Sequence, residues 1–165
     1  MFAHGQLQDR VEAPENLQVM ESDTDIESAL PLAYDFVMQD GDGNDVRLSD
    51  FLGKPIVLNF WTTWCPACVR SSPYFEQLYR GMGEYIHVLK VNLPSAREPR
   101  QAVDEFIAAN GYTLPVYFDV SGEAAMVYGI RSIPDTFFIN ADGYITARII
   151  GAVNERALQE GISSF

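Results

Sequence analysis

Hydrophobic and polar positions divide the chain into an irregular first part and a regularly patterned remainder. Residues 1–30 are polar and acidic, and their apolar side chains follow no clear period. Beyond them, short apolar runs alternate with segments whose apolar positions recur every three or four residues. Alternating strands and helices are typical of an α/β domain. We therefore predict an acidic flexible tail or tether over 1–30, or a segment without a role, and one domain over 31–165.

We predict seven strands and four helices in this domain. Two short strands, 36–39 and 46–48, flank a turn, and the nearly all-apolar run 56–60 predicts a strand buried on both faces of a sheet. The remaining predicted strands cover 86–91, 116–118, 136–139 and 144–150. The predicted helices cover 69–80, a segment that Ser95 or Glu98 opens, a short segment ending at Gly129 and a last one capped by Asn154.

Both cysteines of the chain lie between the strand over 56–60 and the helix that follows it. Cys65 is predicted at the N-cap of that helix and Pro66 at its first position, where the missing N–H of proline costs nothing. The N-terminus of a helix favours a thiolate over a thiol. We therefore predict that Cys65 is an exposed nucleophile of low pKa. Cys68, one turn further, would resolve a mixed disulfide.

Two other interpretations of the Cys-x-x-Cys pair have less support. Zinc needs four ligands, and the chain adds only His4, in the tail, and His87, in a predicted strand. A purely structural disulfide that closes so small a loop would add little stability. The pair therefore predicts redox chemistry without a metal.

The charge balance limits the partners. The chain of 165 residues has a formal net charge of -12, which disfavours nucleic acid and anionic membrane surfaces. No apolar run approaches the roughly 20 residues that a membrane span needs. Residues 1–10 lack the basic start and apolar middle of a signal peptide. If the protein is exported, its leader or anchor would lie outside these residues.

The segment 59–68, which reads NFWTTWCPAC, resembles the active-site segment of the thioredoxin superfamily. It is most similar to the extracytoplasmic branch typified by TlpA and ResA. Pro73 lies where thioredoxin-like helices carry a kink proline. Residues 129–136 match the loop that holds the family's cis-proline, which would be Pro134. The resemblance covers about 32–163.

The resemblance implies a thioredoxin fold. We expect a central mixed β-sheet flanked by helices, with an N-terminal β-hairpin extension and an insertion after the second core strand, at 94–112. It implies thiol–disulfide exchange through Cys65 and Cys68, supported by Pro66 and without a cofactor. Substrate proteins would be held as an extended strand at Trp64, Ile133 and Pro134.

The same resemblance implies partners and a location. The partners would be protein thiols and disulfides, with a membrane thiol reductase as electron donor. The protein would be a monomer outside the cytoplasm, membrane-anchored or a lipoprotein in its native form, and a cytoplasmic location is the alternative. ResA-like proteins carry Glu within the active-site dipeptide, whereas Pro66 and Ala67 stand here. Their substrate is therefore not carried over.

A second departure concerns proton transfer. Asn59 stands where cytoplasmic thioredoxins carry a buried Asp that relays a proton to the second cysteine, and an amide cannot titrate. Lys90 lies at the position of the lysine that pairs with that Asp. It is a candidate proton acceptor or electrostatic tuner. The alternative is a lysine whose side chain reaches solvent past a strand end.

Two further functions stay open. A peroxiredoxin-like thiol peroxidase would need the pattern Pro-x-x-x-Thr-x-x-Cys; Thr62 fits it, but Leu58 stands where the proline must be. The other is a redox-inert binding module on a thioredoxin fold. The intact Cys65, Cys68 and Pro134 argue against it.

Overall fold

A computed structural model describes residues 30–95 and 97–165, and the tail predicted over 1–30 lies outside them except for residue 30. Within the described part, seven strands and four α-helices follow one another. The strands are β1 (Val37–Gln39), β2 (Asp45–Arg47), β3 (Ile56–Trp61), β4 (His87–Asn92), β5 (Val116–Phe118), β6 (Asp135–Ile139) and β7 (Ile145–Ile150). The helices are α1 (Pro66–Met82), α2 (Arg100–Ala109), α3 (Glu123–Val127) and α4 (Glu155–Ile162).

The strands form one mixed sheet in the order β2-β1-β5-β4-β3-β6-β7. Strands β3, β4 and β5 run parallel to one another, whereas β6 pairs antiparallel with β3, and β7 with β6. The antiparallel β1–β2 hairpin joins the other side of the sheet through β5. This confirms the predicted mixed sheet with an N-terminal hairpin extension.

Strand β3 lies inside the sheet, and all of its residues are buried because side chains cover both faces. On one face, Ile56, Leu58 and Phe60 pack in a core that includes residues of β1 and α3. On the other face, Val57 packs against residues of α1 and α4. The alternation follows from the two-residue period of a strand. Strand β3 thereby delivers the cysteine segment to the carboxyl edge of the parallel strands.

The segment between β4 and β5 contains α2 and is the predicted insertion. Its helix is fixed to the β1–β2 hairpin by Arg100. The guanidinium donates to the backbone carbonyls of Asp40 and Gly41, both at 2.6 Å. It also lies 4.2 Å from the centroid of the Phe118 ring. None of the helices in the described part of the chain is both long and apolar enough to cross a bilayer.

The start of α2 differs from the prediction. The helix begins at Arg100 with Pro99 as its N-cap, so the expectation that Ser95 or Glu98 opens it is wrong. Both side chains are engaged elsewhere. The hydroxyl of Ser95 accepts the N–H of Arg97, and the carboxylate of Glu98 contacts the segment before the cysteines.

A buried carboxylate, that of Glu76, joins α1 to the end of the insertion. It accepts the N–H groups of Thr113 and Leu114, each at 3.0 Å, and the hydroxyl of Thr113 at 2.6 Å. Arg80 donates to it at 2.7 Å. Burial alone would raise the pKa of Glu76, but the hydrogen bonds from Thr113, Arg80 and Leu114 outweigh it and lower the pKa to about 2.

Candidate active site

Both cysteines lie at the N-terminus of α1 and form a disulfide, with their Cα atoms 5.2 Å apart. Cys65 is the N-cap, and its Sγ accepts the N–H of Cys68 at 3.2 Å. Pro66 is the first residue of the helix. The N–H groups at this helix end favour negative charge on the Cys65 sulfur. The local geometry is thus the one that the sequence predicts for the pair.

Cys65 is less exposed than the sequence predicts. Cys68 is fully buried, and Cys65 is only 6% exposed, although the sequence predicts an exposed residue there. The reason is that Trp61 and Ile133 pack around the pair. Cys65 nevertheless has the greater access to solvent of the two.

The loop before β6 lies against Cys65. The peptide bond between Ile133 and Pro134 is cis, and the carbonyl oxygen of Ile133 lies 3.6 Å from the Cys65 Sγ. Trp64, the residue before Cys65, is 50% exposed. A groove of about 270 Å³ runs between them and is lined by Thr62, Trp64, residues 93–95 and residues 130–133. The cysteine pair is therefore bordered by the residues that were predicted to bind substrate.

An ion pair without a clear signal in the sequence anchors this loop. The fully buried Asp135 follows Pro134, and its carboxylate accepts two hydrogen bonds from Arg148, at 3.0 and 2.6 Å. The hydrogen bond that Arg148 donates to Asp135 raises the pKa of Arg148. The carbonyl of Pro134 accepts the N–H of Gly151 at 2.8 Å. Only the register of the β6–β7 hairpin brings the two charged residues together, so local sequence does not reveal the pair.

Asn59 and Lys90 are brought together with Thr136 on three adjacent strands. The Lys90 Nζ donates to the Asn59 Oδ1 at 3.0 Å, and the Asn59 Nδ2 donates to the Thr136 hydroxyl at 3.1 Å. Lys90 is only 1% exposed. The alternative of a lysine that reaches solvent is therefore wrong.

The surroundings of the Lys90 ammonium act on its charged form in two opposite directions. Burial lowers the pKa of Lys90 from 10.5 to about 7, because the charged form loses its hydration. The Nζ also lies 4.5 Å from the Trp61 ring centroid and 4.6 Å from that of Phe75. Aromatic faces stabilise a cation and act in the opposite direction. No acidic side chain forms an ion pair with Lys90 within the described residues.

Glu98 contacts the segment that leads into the cysteines. One oxygen of its carboxylate accepts the N–H of Thr63 at 2.7 Å and also the Thr63 hydroxyl. The other accepts the side-chain amide of Asn92 at 2.8 Å. The contact joins residues that are distant in sequence, so the sequence favoured a helix cap at Glu98 instead.

The residues that zinc would need are not assembled around the cysteines. His87 lies in β4 and packs edge-on against the ring of Phe51, with centroids 5.1 Å apart. In the part of the chain that the structure describes, no group of three or more His, Cys, Asp or Glu side chains is placed to hold a metal ion. His4 lies outside that part.

A helix-capping Cys-x-x-Cys disulfide on a mixed sheet flanked by helices defines a thiol–disulfide oxidoreductase of the thioredoxin fold. Comparisons with known proteins agree with this class. The chain belongs to the AhpC/TSA family, whose model matches residues 31–148.

Relatives with a curated name or a solved structure include thiol-disulfide oxidoreductases. Over 133 residues, the chain is 34% identical to the thiol-disulfide oxidoreductase ResA of Geobacillus thermodenitrificans, covering 80% of this chain and 75% of ResA. StoA from Bacillus subtilis is 32% identical, with a TM-score of 0.69 over 80% of this chain and 99% of StoA. The exposed lipoprotein thioredoxin Etrx1 from Streptococcus pneumoniae is 30% identical, with a TM-score of 0.70 over 80% of this chain and 100% of Etrx1. The predicted resemblance is confirmed.

Proposed function

We propose that the protein exchanges disulfides with protein substrates through Cys65 and Cys68, and that it acts as a reductant outside the cytoplasm. The observation that carries the proposal is the position of Cys65. Its sulfur caps α1, accepts the N–H of Cys68 and lies beside the carbonyl of Ile133. A sulfur held there is both activated by the helix terminus and adjacent to a groove for a partner.

The proposed exchange has two steps. The Cys65 thiolate attacks one sulfur of a substrate disulfide, forming a mixed disulfide as a substrate thiolate leaves. Cys68 then loses its proton and attacks the Cys65 sulfur, which forms the Cys65–Cys68 disulfide and releases the second substrate thiolate. Two electrons pass to the substrate, so an external donor must reduce the pair before the next turnover.

Lys90 is proposed to receive or to compensate the proton that leaves Cys68. Its ammonium has Asn59 as a neutral partner, and it lies over the ring of Phe75, two helical turns beyond Cys68 on α1. A lysine whose pKa is lowered to about 7 is a neutral base in part of the population at neutral pH. Asn59 would position that amine, since an amide cannot take the proton itself.

The substrate is proposed to lie as an extended strand along the loop that ends at Pro134. Among the described residues, no group accepts the N–H of Ile133, which leaves this N–H available to a partner backbone. Trp64, next to Cys65, offers a half-exposed ring that lines the same groove as Ile133. Backbone pairing with apolar side contacts suits unfolded or extended protein segments rather than a small ligand.

Location and electron supply are part of the same proposal. Etrx1 is an exposed lipoprotein by its description, and a comparable anchor outside this chain would place the oxidoreductase near a membrane thiol reductase. The tail over 1–30 is proposed to be a tether, with 31–165 as the working domain. Deleting 1–30 should then leave insulin reduction and the melting temperature nearly unchanged. A large loss of melting temperature would contradict the tether.

An insulin-reduction assay tests the exchange chemistry. With dithiothreitol as the donor, the wild type should accelerate insulin precipitation and Cys65→Ser should not. Cys68→Ser should retain the first attack and accumulate mixed disulfides, because nothing remains to resolve them. A wild type that does not accelerate the reaction would favour the redox-inert alternative. The peroxidase alternative has Thr62 in its favour but lacks the proline that it needs, because the buried Leu58 of β3 stands there. Peroxide consumption in the same preparation would test it.

A further inference from the structure

We propose that Glu98 is a positioning residue of this redox centre: it fixes the backbone of Thr63 and supplies, from the insertion, a buried negative charge that neutral Asn59 does not. The inference rests on the proposed exchange at Cys65 and Cys68. It assigns the insertion a role in setting the reduction potential.

The first step is the state of the carboxylate. Glu98 is 6% exposed. Its oxygens accept two hydrogen bonds from Thr63 and one from Asn92. Three donors aimed at one carboxyl group favour its ionised form. Within the described residues, no Lys or Arg forms an ion pair with it. Glu98 is therefore a buried charge stabilised by dipoles alone.

The second step is the location of the Glu98 carboxylate relative to the Cys65–Cys68 disulfide. The bond of 2.7 Å from the Thr63 N–H fixes the backbone two residues before Cys65. Two residues span at most about 7 Å between Cα atoms, so the carboxylate contacts the same short segment of chain that carries Cys65. The same carboxylate holds Asn92, the last residue of β4. Leu93, which follows it, lines the groove beside Trp64.

The third step is the direction of the effect. A negative charge near Cys65 disfavours its thiolate. Because only the reduced protein carries that thiolate, the charge favours the disulfide and lowers the reduction potential. In thioredoxin-like proteins with an Asp on the strand before the cysteines, the charge comes from that strand; here Asn59 is neutral, and the charge comes from the insertion.

Equilibration of the full chain with glutathione tests the proposal. Glu98→Gln keeps an acceptor for Thr63 but removes the charge. We expect it to shift the equilibrium constant by threefold to tenfold toward the reduced protein, which raises the potential by about 14–30 mV. Asp104→Asn is the matched control, since it removes a charge from an exposed position of α2 and should leave the potential unchanged.

Glu98→Asp separates charge from structure. It keeps the charge but shortens the reach to Thr63, so we expect a lower melting temperature with a potential close to the wild type. A potential for Glu98→Gln equal to that of Asp104→Asn would overturn the proposal, as would an equal shift in Glu98→Asp and Glu98→Gln. A wild type that does not equilibrate with glutathione would instead contradict the proposed exchange itself.

Discussion

Replacing Lys90 by Met should abolish the pH dependence of stability that this residue creates. The perturbation removes a buried amine and keeps an unbranched side chain of similar length. In the wild type, burial lowers the pKa of Lys90 to about 7 in the folded state, whereas an unfolded lysine titrates near 10.4. Between these values the unfolded chain binds a proton that the folded chain does not. The Lys90 contribution to stability therefore rises with pH between about 7 and 10.4, and below about 7, where both states carry the proton, it no longer changes with pH.

The magnitude follows from the two pKa values. From pH 6 to pH 9, the Lys90 contribution to the free energy of unfolding rises by about 2.5 kcal/mol. The rings of Trp61 and Phe75 stabilise the ammonium and reduce this figure, by up to about 2 kcal/mol when the cation is desolvated. The replacement also removes the hydrogen bond to the Asn59 Oδ1, and an unpaired buried acceptor costs about 1–3 kcal/mol at every pH. We expect Lys90→Met to be the more stable protein at pH 6 and to lose that advantage by pH 9.

Urea unfolding of the oxidised proteins at pH 6, 7.5 and 9 measures the difference. With the disulfide intact no thiol titrates, and groups common to both proteins cancel in the comparison. Lys54→Met is the matched control, because Lys54 is exposed and its Nζ donates to the carbonyl of Glu84. Burial and the Lys54 charge both lower the pKa of His87, so this control is compared at pH 7.5 and 9, where His87 is neutral. If the free energy of unfolding of the wild type minus that of Lys90→Met stays constant from pH 6 to pH 9, the reasoning is refuted, and Lys90 has an ordinary pKa.

Three further predictions concern the redox pair and the insertion. In the reduced protein, iodoacetamide should label Cys65 before Cys68, because Cys68 is fully buried; mass mapping with Cys68 labelled first would overturn the assignment. Asn59→Asp should lower the potential by up to about 30 mV, a tenfold change in equilibrium constant, as it adds a negative charge beneath the pair; a raised potential against glutathione would contradict this. Glu76→Gln should cost about 2 kcal/mol at pH 7, since the charge-assisted bonds are lost. It should also flatten the loss of stability that the wild type undergoes as pH falls from 4.5 toward 2, which urea titrations across that range would detect.

The sequence predicts those features of the site that depend on neighbours along the chain. The apolar run of β3, the cysteines at the helix start and the proline loop are each coded within a few residues, so their placement agrees with expectation. The exposure of Cys65 is set instead by Ile133, a residue of a distant loop. The burial of Lys90 depends on which distant residues pack on its face of β4. The sequence of the strand itself does not reveal those residues. Local pattern therefore identifies the chemistry but not its electrostatic setting.

That setting is where this chain departs most from thioredoxin. Two ionisable groups contact elements next to the cysteines: Lys90 lies over the ring of Phe75 on α1, and Glu98 binds Thr63. They have no ion pair with each other or with any other described residue. A cation near a thiolate raises the reduction potential, and an anion lowers it. A direct Lys–Asp pair would cancel both fields locally, as the Asp of thioredoxins does. Separating the two charges, with Asn59 as the neutral partner of Lys90, leaves each able to act on the redox pair: Glu98 through the segment of Thr63, and Lys90 from beside Phe75 on α1.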